Sequence, residues 1–111
     1  MFGRKNRIQK NKEIESIFKK GKSFKQGNLL LKTKKNDLGI NRFAFIVSKK
    51  VSKKASERNR IKRKLREIIK LKNGLSGSGK DNLFIVLSGL EKESAEKIEK
   101  TVERLLEKSK Q

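Results

Sequence analysis

The sequence contains neither cysteine nor histidine, and this absence restricts the chemistry that the chain can perform. Without cysteine it can form no disulfide and no thiolate metal site. Without histidine, Ser-His-Asp triads and Cys-His pairs are excluded. Acidic residues are also few, 12 in a chain of 111, and most of them lie among lysines. We therefore expect the chemistry of any reaction in which this chain takes part to belong to a partner.

Long apolar runs are absent as well. No segment approaches the roughly 20 apolar residues that a membrane-spanning helix needs. The basic stretch from Arg4 to Lys12 is not followed by the apolar segment of a signal peptide. The expectation is a cytoplasmic protein without a membrane partner.

Positive charge, by contrast, is abundant. The chain has 32 Lys and Arg against 12 Asp and Glu, a formal net charge of +20. A compact domain with this charge repels itself unless a polyanion is near, and nucleic acid is the usual polyanion. An anionic membrane surface is the alternative partner. It would require an amphipathic helix with aromatic residues on its apolar side, and the most basic helix of this chain contains none.

The apolar residues make up only 32% of the chain, but they cluster in periodic runs that indicate a small core. The predicted elements are a helix over 10–20, strands over 28–34 and 42–48, a helix over 53–72, a strand over 83–88 and a helix over 93–109. Their order is helix, one or two strands, strand, helix, strand, helix. We therefore predict an α+β fold, a small α/β sandwich of order α-β-β-β-α-β-α with about four strands.

The whole chain, residues 1–111, is predicted to form one RNA-binding domain. A helix connects the strands over 42–48 and 83–88, so these two strands are expected to be parallel. Two segments are expected to be flexible, the basic arm over 1–9 and the Gly- and Ser-rich loop over 73–82.

Alternation assigns a face to the strand residues. In the strand over 28–34 one face carries Leu29, Leu31 and Thr33, and the other carries Asn28, Leu30 and Lys32. In the strand over 42–48 the bulky positions Phe43, Phe45 and Val47 are expected to meet the core. The opposite face is smaller in the second strand, where Ala44, Ile46 and Ser48 could lie under a groove. The apolar run over 83–88 is typical of a strand buried on both faces.

The helix over 53–72 separates an apolar stripe from a row of cations. The stripe consists of Ile61, Leu65, Ile68 and Ile69, and Ser52 is a candidate N-cap. The cations recur at i, i+4 and i+8 on another side of the helix. Asn59 among the arginines adds no charge, but it can donate and accept hydrogen bonds at a base edge or a ribose hydroxyl. A solvated basic helix is the plainer interpretation. The density and one-sided placement of the cations favour RNA binding instead.

The residues around this helix strongly resemble the signature of the bacterial ribonuclease P protein family. That family has Ser-Lys-Lys at a strand end and Arg-Asn-Arg-x-Lys-Arg-x-x-Arg-Glu on the next helix. Ser48-Lys49-Lys50 and the segment from Arg58 to Glu67 match it position by position. The resemblance extends over most of the chain, including the Phe-x-x-Gly-like stretch from Phe18 to Gly21.

The resemblance implies a division of labour between the protein and RNA. In this family an RNA subunit holds the Mg²⁺ ions and cleaves precursor tRNA, and the protein binds the RNA subunit and the 5′ leader. It implies no cofactor bound tightly by the protein, no catalytic or metal-ligating residue in the chain, and one protein per RNA. The residues that it assigns to RNA contact are Lys49, Lys50, Lys53, Arg58, Asn59, Arg60, Lys62, Arg63 and Arg66.

The resemblance also implies a cleft for the single-stranded leader between the first helix and the exposed sheet face. By strand parity its candidate residues are Phe18, Leu30, Lys32, Ala44, Ile46 and Ser48. Phe18 can provide a stacking platform for a base, or it can be a core aromatic beside Ile14 and Ile17. The family often has aromatic residues where Ile14 and Lys32 stand here, so weaker stacking is expected.

The resemblance further implies a left-handed crossover between the parallel strands, against the general right-handed rule. Two other functions compete with this interpretation. The first is a ribosomal or other structural RNA-binding protein, and the second is a protein-only nuclease. The nuclease would need a carboxylate cluster or histidine, and neither is apparent in the sequence.

Overall fold

The structure is a computed structural model that describes residues 6–72 and 79–110. Its elements are α1 (Asn11–Lys20), β1 (Lys22–Gln26), β2 (Leu29–Lys35), β3 (Arg42–Val47), α2 (Ala55–Leu71), β4 (Lys80–Val86), a 3-10 turn (Leu90–Lys92) and α3 (Ala95–Ser109). The four strands form one mixed sheet in the order β1-β2-β4-β3. β1 and β2 pair antiparallel, as do β2 and β4, whereas β3 and β4 are parallel. The α+β fold, the element order and the parallel strand pair are confirmed. The handedness of the crossover stays a prediction.

β1 is the strand to which the sequence analysis assigned no residues. Phe24 is its one bulky apolar residue, so its pattern is too weak for an edge strand to be recognised. The local signal is instead the two-residue turn at Gly27 and Asn28, which joins Gln26 to Leu29 in the register. Gly27 has φ +56°, a conformation that suits glycine in a tight hairpin.

One face of the sheet, which we call face A, packs against α2 and α3. Its core contains Phe43 of the predicted bulky face and Leu29 and Leu31, which share one face of β2 as predicted, together with α2 residues such as Leu65 and Ile69. The ring of Phe84 on β4 stacks with those of Phe43 and Phe45 on β3, with ring centroids 6.4 and 5.8 Å away. The apolar stripe predicted for α2 is thus confirmed as its buried side.

The opposite face, face B, is partly covered by α1. Ile17 of α1 packs with Ile8, Ala44 and Leu83 in a second, smaller apolar cluster. Leu83 on this face and Phe84 on the other are both fully buried, as expected of a strand covered on both sides. β4 is therefore an interior strand that contributes to the core on both of its faces.

Parts of the two segments expected to be flexible are ordered. Ile8 is 5% exposed, and its N–H donates to the Phe43 carbonyl at 2.9 Å, which adds the chain to the open edge of β3. Asn6 is also buried and donates to the Asn41 carbonyl. The flexible-arm prediction is therefore wrong for residues 6–8, because the edge strand offers them hydrogen bonds and the second cluster accepts Ile8. Residues 1–5 lie outside the described residues.

The loop prediction over 73–82 extends too far along the chain. Residues 80–82 belong to β4, where Asp81 and Asn82 are buried and hydrogen-bonded to β3 and its neighbours. Their polarity hid the beginning of the strand. Residues 73–78 lie outside the described residues.

The expected N-cap at Ser52 is also wrong. α2 begins at Ala55 after Lys54, which makes no side-chain cap. The Ser52 hydroxyl instead accepts from the Lys54 N–H at 3.3 Å, within the turn that leads into the helix.

Candidate nucleic-acid interface

α2 presents a basic surface because its buried and exposed residues lie on different sides. Leu65, Ile68 and Ile69 are buried against the sheet. Asn59, Arg60 and Arg63 are exposed, whereas the other cationic candidates of the helix, Arg58, Lys62 and Arg66, are half-buried. The helix therefore holds this row of cations on a rigid support, with their stems packed along the protein.

The loop between β3 and α2 extends this surface. Ser48, Lys49 and Lys50 follow the end of β3 and are exposed, as is Lys53. Val51 is buried among the face A residues, so the loop is anchored between the exposed lysines. The Arg58 guanidinium donates to the Ser52 carbonyl at 3.0 Å, which ties the first turn of α2 to the loop. Arg58 thus has a structural contact in addition to its candidate role toward RNA.

A cationic pocket joins α2 to the N-terminal segment. Arg7, Lys62 and Arg66 line it, over a floor that includes Phe43 and Ala44 of β3. No carboxylate is among the described residues that line this pocket. The pKa of the Arg66 guanidinium is lowered by burial and, to a smaller extent, by the charges of Arg7 and Arg63. These like charges held close together produce a positive potential that favours a phosphate.

Arg7 is a candidate interface residue that the sequence analysis missed. It was assigned to the flexible arm, and only the pairing of residues 7–8 with β3 places it beside Arg66. The apolar residue Ile8, in an otherwise polar stretch, is the signal that could have indicated an anchored segment.

The cleft candidates Phe18 and Lys32 are in direct contact on face B. The Lys32 ammonium donates to the Phe18 carbonyl at 2.9 Å and lies 4.0 Å from the centre of the Phe18 ring. Phe18 is 51% exposed, whereas its neighbour Ile17 is 1% exposed. The interpretation of Phe18 as a core aromatic is therefore wrong, and its ring is available to a ligand.

The remaining cleft candidates divide by their position relative to α1. Leu30 and Ile46 are half-buried and share one row of face B with Ile85 in the strand register. Ala44 is buried in the cluster beneath α1 and also lines the cationic pocket beside Arg7 and Arg66. Ser48 is exposed just beyond β3. The structure thus brings Phe18 and Lys32 together, with Leu30 and Ile46 on the same face.

An ion-pair network attaches α1 to the sheet, and local sequence patterns did not reveal it. Arg42 of β3 donates to Glu13 of α1 at 2.8 Å and to both carboxylate oxygens of Asp81 of β4 at 2.8 and 2.9 Å. Its pKa is raised, mainly by the hydrogen bond to Asp81, although burial acts in the opposite direction. The network therefore attaches the first turn of α1 to β3 and β4.

Two negative observations apply to residues 6–72 and 79–110. No group of three or more Asp or Glu side chains within this range is placed to hold a metal ion. No helix within it has both the length and the apolar character for a membrane span.

The chain is similar to proteins of one family. The family model described as "Ribonuclease P" matches residues 2–110. A ribonuclease P protein component from Syntrophomonas wolfei is 35% identical over 109 residues, 98% of this chain and 91% of the relative. One from Clostridium botulinum strain Loch Maree is 36% identical over 107 residues, 96% of each chain.

Solved structures give the same result. The RNase P protein of Staphylococcus aureus superposes with a TM-score of 0.86 at 30% identity, over 95% of both chains. That of Thermotoga maritima superposes with a TM-score of 0.82 at 26% identity, over 92% of this chain and 96% of the other.

Proposed function

This chain belongs to the ribonuclease P protein family, which acts with an RNA subunit in tRNA 5′ processing, and we propose which of its surfaces perform that function. Membership of this family excludes the first alternative function, a ribosomal or other structural RNA-binding protein. It also excludes a protein-only nuclease, because in this family the endoribonuclease is the ribonucleoprotein.

We propose that α2 and the loop before it bind the RNA subunit. The observation that carries this proposal is the one-sided cationic surface that ends in the pocket of Arg7, Lys62 and Arg66. Arginine suits such a surface because its planar guanidinium grips a phosphate through two parallel hydrogen bonds. Asn59, exposed among the cations, supplies a contact to a base edge or a ribose hydroxyl.

The cleft beside α1 would take the 5′ leader of precursor tRNA. The exposed ring of Phe18 offers a stacking surface, and Lys32 beside it offers a charge for a phosphate. Stacking of this kind tolerates any base, which suits a leader whose sequence varies among tRNAs.

The Mg²⁺ ions that assist cleavage would belong to the RNA subunit. Carboxylates are the protein ligands that Mg²⁺ usually takes, and two of the chain's 12 acidic residues, Glu13 and Asp81, already bind Arg42. The protein would then hold and orient the two RNAs, with one protein per RNA subunit, in the cytoplasm where precursor tRNA is processed.

A reconstitution assay tests this function. Added to a bacterial ribonuclease P RNA at low Mg²⁺ concentration, the protein should increase correct 5′ processing of a precursor tRNA. Arg60→Ala together with Arg63→Ala, both at exposed positions of α2, should weaken assembly with the RNA subunit. The matched control is Lys97→Ala with Lys100→Ala on the exposed side of α3, because each double variant lowers the net charge of +20 by two. Equal effects of the two double variants on assembly would mean that α2 contributes only through the net charge of the protein. Absence of stimulation by the folded wild type would refute the proposed function.

A further inference from the structure

A second cluster of cations lies away from α2, toward the β1 side of the sheet. Its lysines come from three strands and from α1: Lys20, Lys22, Lys34, Lys35 and Lys80. With Thr33 and Ser109 they line a pocket open to solvent, which we call the lysine pocket. β1 and β3 are opposite edges of the sheet, and α2 packs against β3. The lysine pocket therefore lies on a different side of the domain from the α2 surface.

No carboxylate is among the described residues that line the lysine pocket, and only Lys34 also lines a neighbouring pocket that contains Glu13 and Asp81. None of the ion pairs between described residues involves any of its five lysines. The nearest carboxylate in the strand register is Asp81, opposite Lys34, and it is already bound by Arg42 and Asn36. Lysines held this close repel one another, and an anion placed among them removes that repulsion.

Two of the lysines are held in place by neutral oxygens. Lys34 donates to the Ser16 hydroxyl and Lys80 to the Ser109 carbonyl, each at 2.6 Å. Lys20, Lys22 and Lys35 are exposed. The lysine pocket thus combines the positioned ammonium of Lys80 with three adaptable ones, while the Lys34 ammonium is directed toward α1. A lysine ammonium can donate to a phosphate from any direction.

We propose that the lysine pocket binds an RNA phosphodiester backbone, as a second RNA contact of this chain. This inference rests on the proposed function, because RNA is the polyanion that the complex supplies. An anionic membrane fits poorly, since no aromatic or large apolar residue is among the described residues that line the pocket. The phosphodiester can come from precursor tRNA, because Lys34 follows the cleft residue Lys32 by two positions on the same face of β2. It can equally come from the RNA subunit.

The test replaces the three exposed lysines and leaves the two positioned ones intact. In Lys20→Gln/Lys22→Gln/Lys35→Gln the net charge becomes 20 − 3 = +17. The matched control is Lys92→Gln/Lys97→Gln/Lys100→Gln, which removes the same charge from exposed positions at the start of α3 and just before it. Melting temperatures establish that both variants fold.

Two binding measurements over a range of salt concentrations distinguish the sources. The first is affinity for the RNA subunit alone, and the second is affinity of the assembled complex for precursor tRNA with and without a leader. In one of them the pocket variant should bind on the order of 10-fold more weakly than the control at about 0.1 M salt. Its log–log salt slope should be shallower by about 2, near 0.7 for each of three phosphates on a single strand.

A loss confined to the RNA subunit identifies that RNA as the source, and a loss confined to leader-containing substrate identifies the leader. Lys20→Arg/Lys22→Arg/Lys35→Arg, which keeps the charge, should retain wild-type affinity. If the glutamine variant matches the control in both measurements while the wild type stimulates processing, the lysine pocket proposal is overturned and the proposed function stands. If the wild type itself does not stimulate processing, the proposed function is refuted, whatever the result for the lysine pocket.

Discussion

Replacing Phe18 with alanine tests the leader cleft directly, because the ring is exposed and its removal should disturb the fold little. Stacking of a base on an aromatic side chain contributes about 1–3 kcal/mol. In the free protein one face of the ring lies against the Lys32 ammonium, at 4.0 Å from the ring centre. A cation in such an exposed position contributes about 0.5–1 kcal/mol, which a base on the same face has to displace. The net stabilisation is then about 0.5–2 kcal/mol, or roughly 2- to 30-fold in affinity.

The assay compares the dissociation constants of the assembled complex for precursor tRNA with a leader and for the same tRNA without one. Phe18→Ala should weaken binding of the first by the factor above and leave the second unchanged. Leu38→Ala is the matched control, because Leu38 is 56% exposed, close to the 51% of Phe18, and lies in the loop between β2 and β3. Equal losses for both substrates would mean that Phe18 does not contact the leader.

Two further predictions concern stability. Arg42→Ala should destabilise the domain by about 2–4 kcal/mol and lower Tm by roughly 10–20 °C, because it leaves the buried carboxylate of Asp81 without its cation. Calorimetry compares this variant with Arg104→Ala, which replaces an exposed arginine of α3. Similar Tm values for the two variants would contradict the prediction. The pKa of Lys72 is raised by its hydrogen bonds to Glu99 and Glu103, so the stabilisation by this lysine is present below the ordinary lysine pKa and is lost as pH rises through the raised value. Urea midpoints of wild type and Lys72→Gln should therefore differ at neutral pH and converge above about pH 10.4, and a pH-independent difference would refute this cause.

The features that sequence analysis predicted correctly are those with a local period. Alternation along β2 and β3 separated Leu31 and Phe43, which are buried on face A, from Leu30 and Ile46 on face B. A helical period likewise identified the buried side of α2. Buried positions recur about once per turn of a helix and at every second residue of a strand, so the sequence of a single element is enough to identify them.

The features that were missed depend on contacts between distant parts of the chain. Arg42 and Asp81 are 39 positions apart, and nothing in either neighbourhood indicates that they pair. The lysines of the lysine pocket come from four elements, and each of them alone resembles any other solvated lysine. Arg7 reaches the interface only because the N-terminal segment pairs with β3. Such sites are created by the topology of the sheet, which local patterns constrain only weakly.

β3 links the two surfaces that we assign to different RNAs. Its Phe43 packs on face A beneath α2, and the Phe43 carbonyl also accepts the hydrogen bond that holds Ile8, next to Arg7. Residues on its other side, Ala44 and Ile46, support α1 and the cleft. A rotation of α2 relative to the sheet would have to disturb this strand and the core around it, which close packing resists. The distance between the α2 surface and the cleft is therefore fixed by the fold, so a leader held beside Phe18 has a defined position relative to an RNA bound at α2.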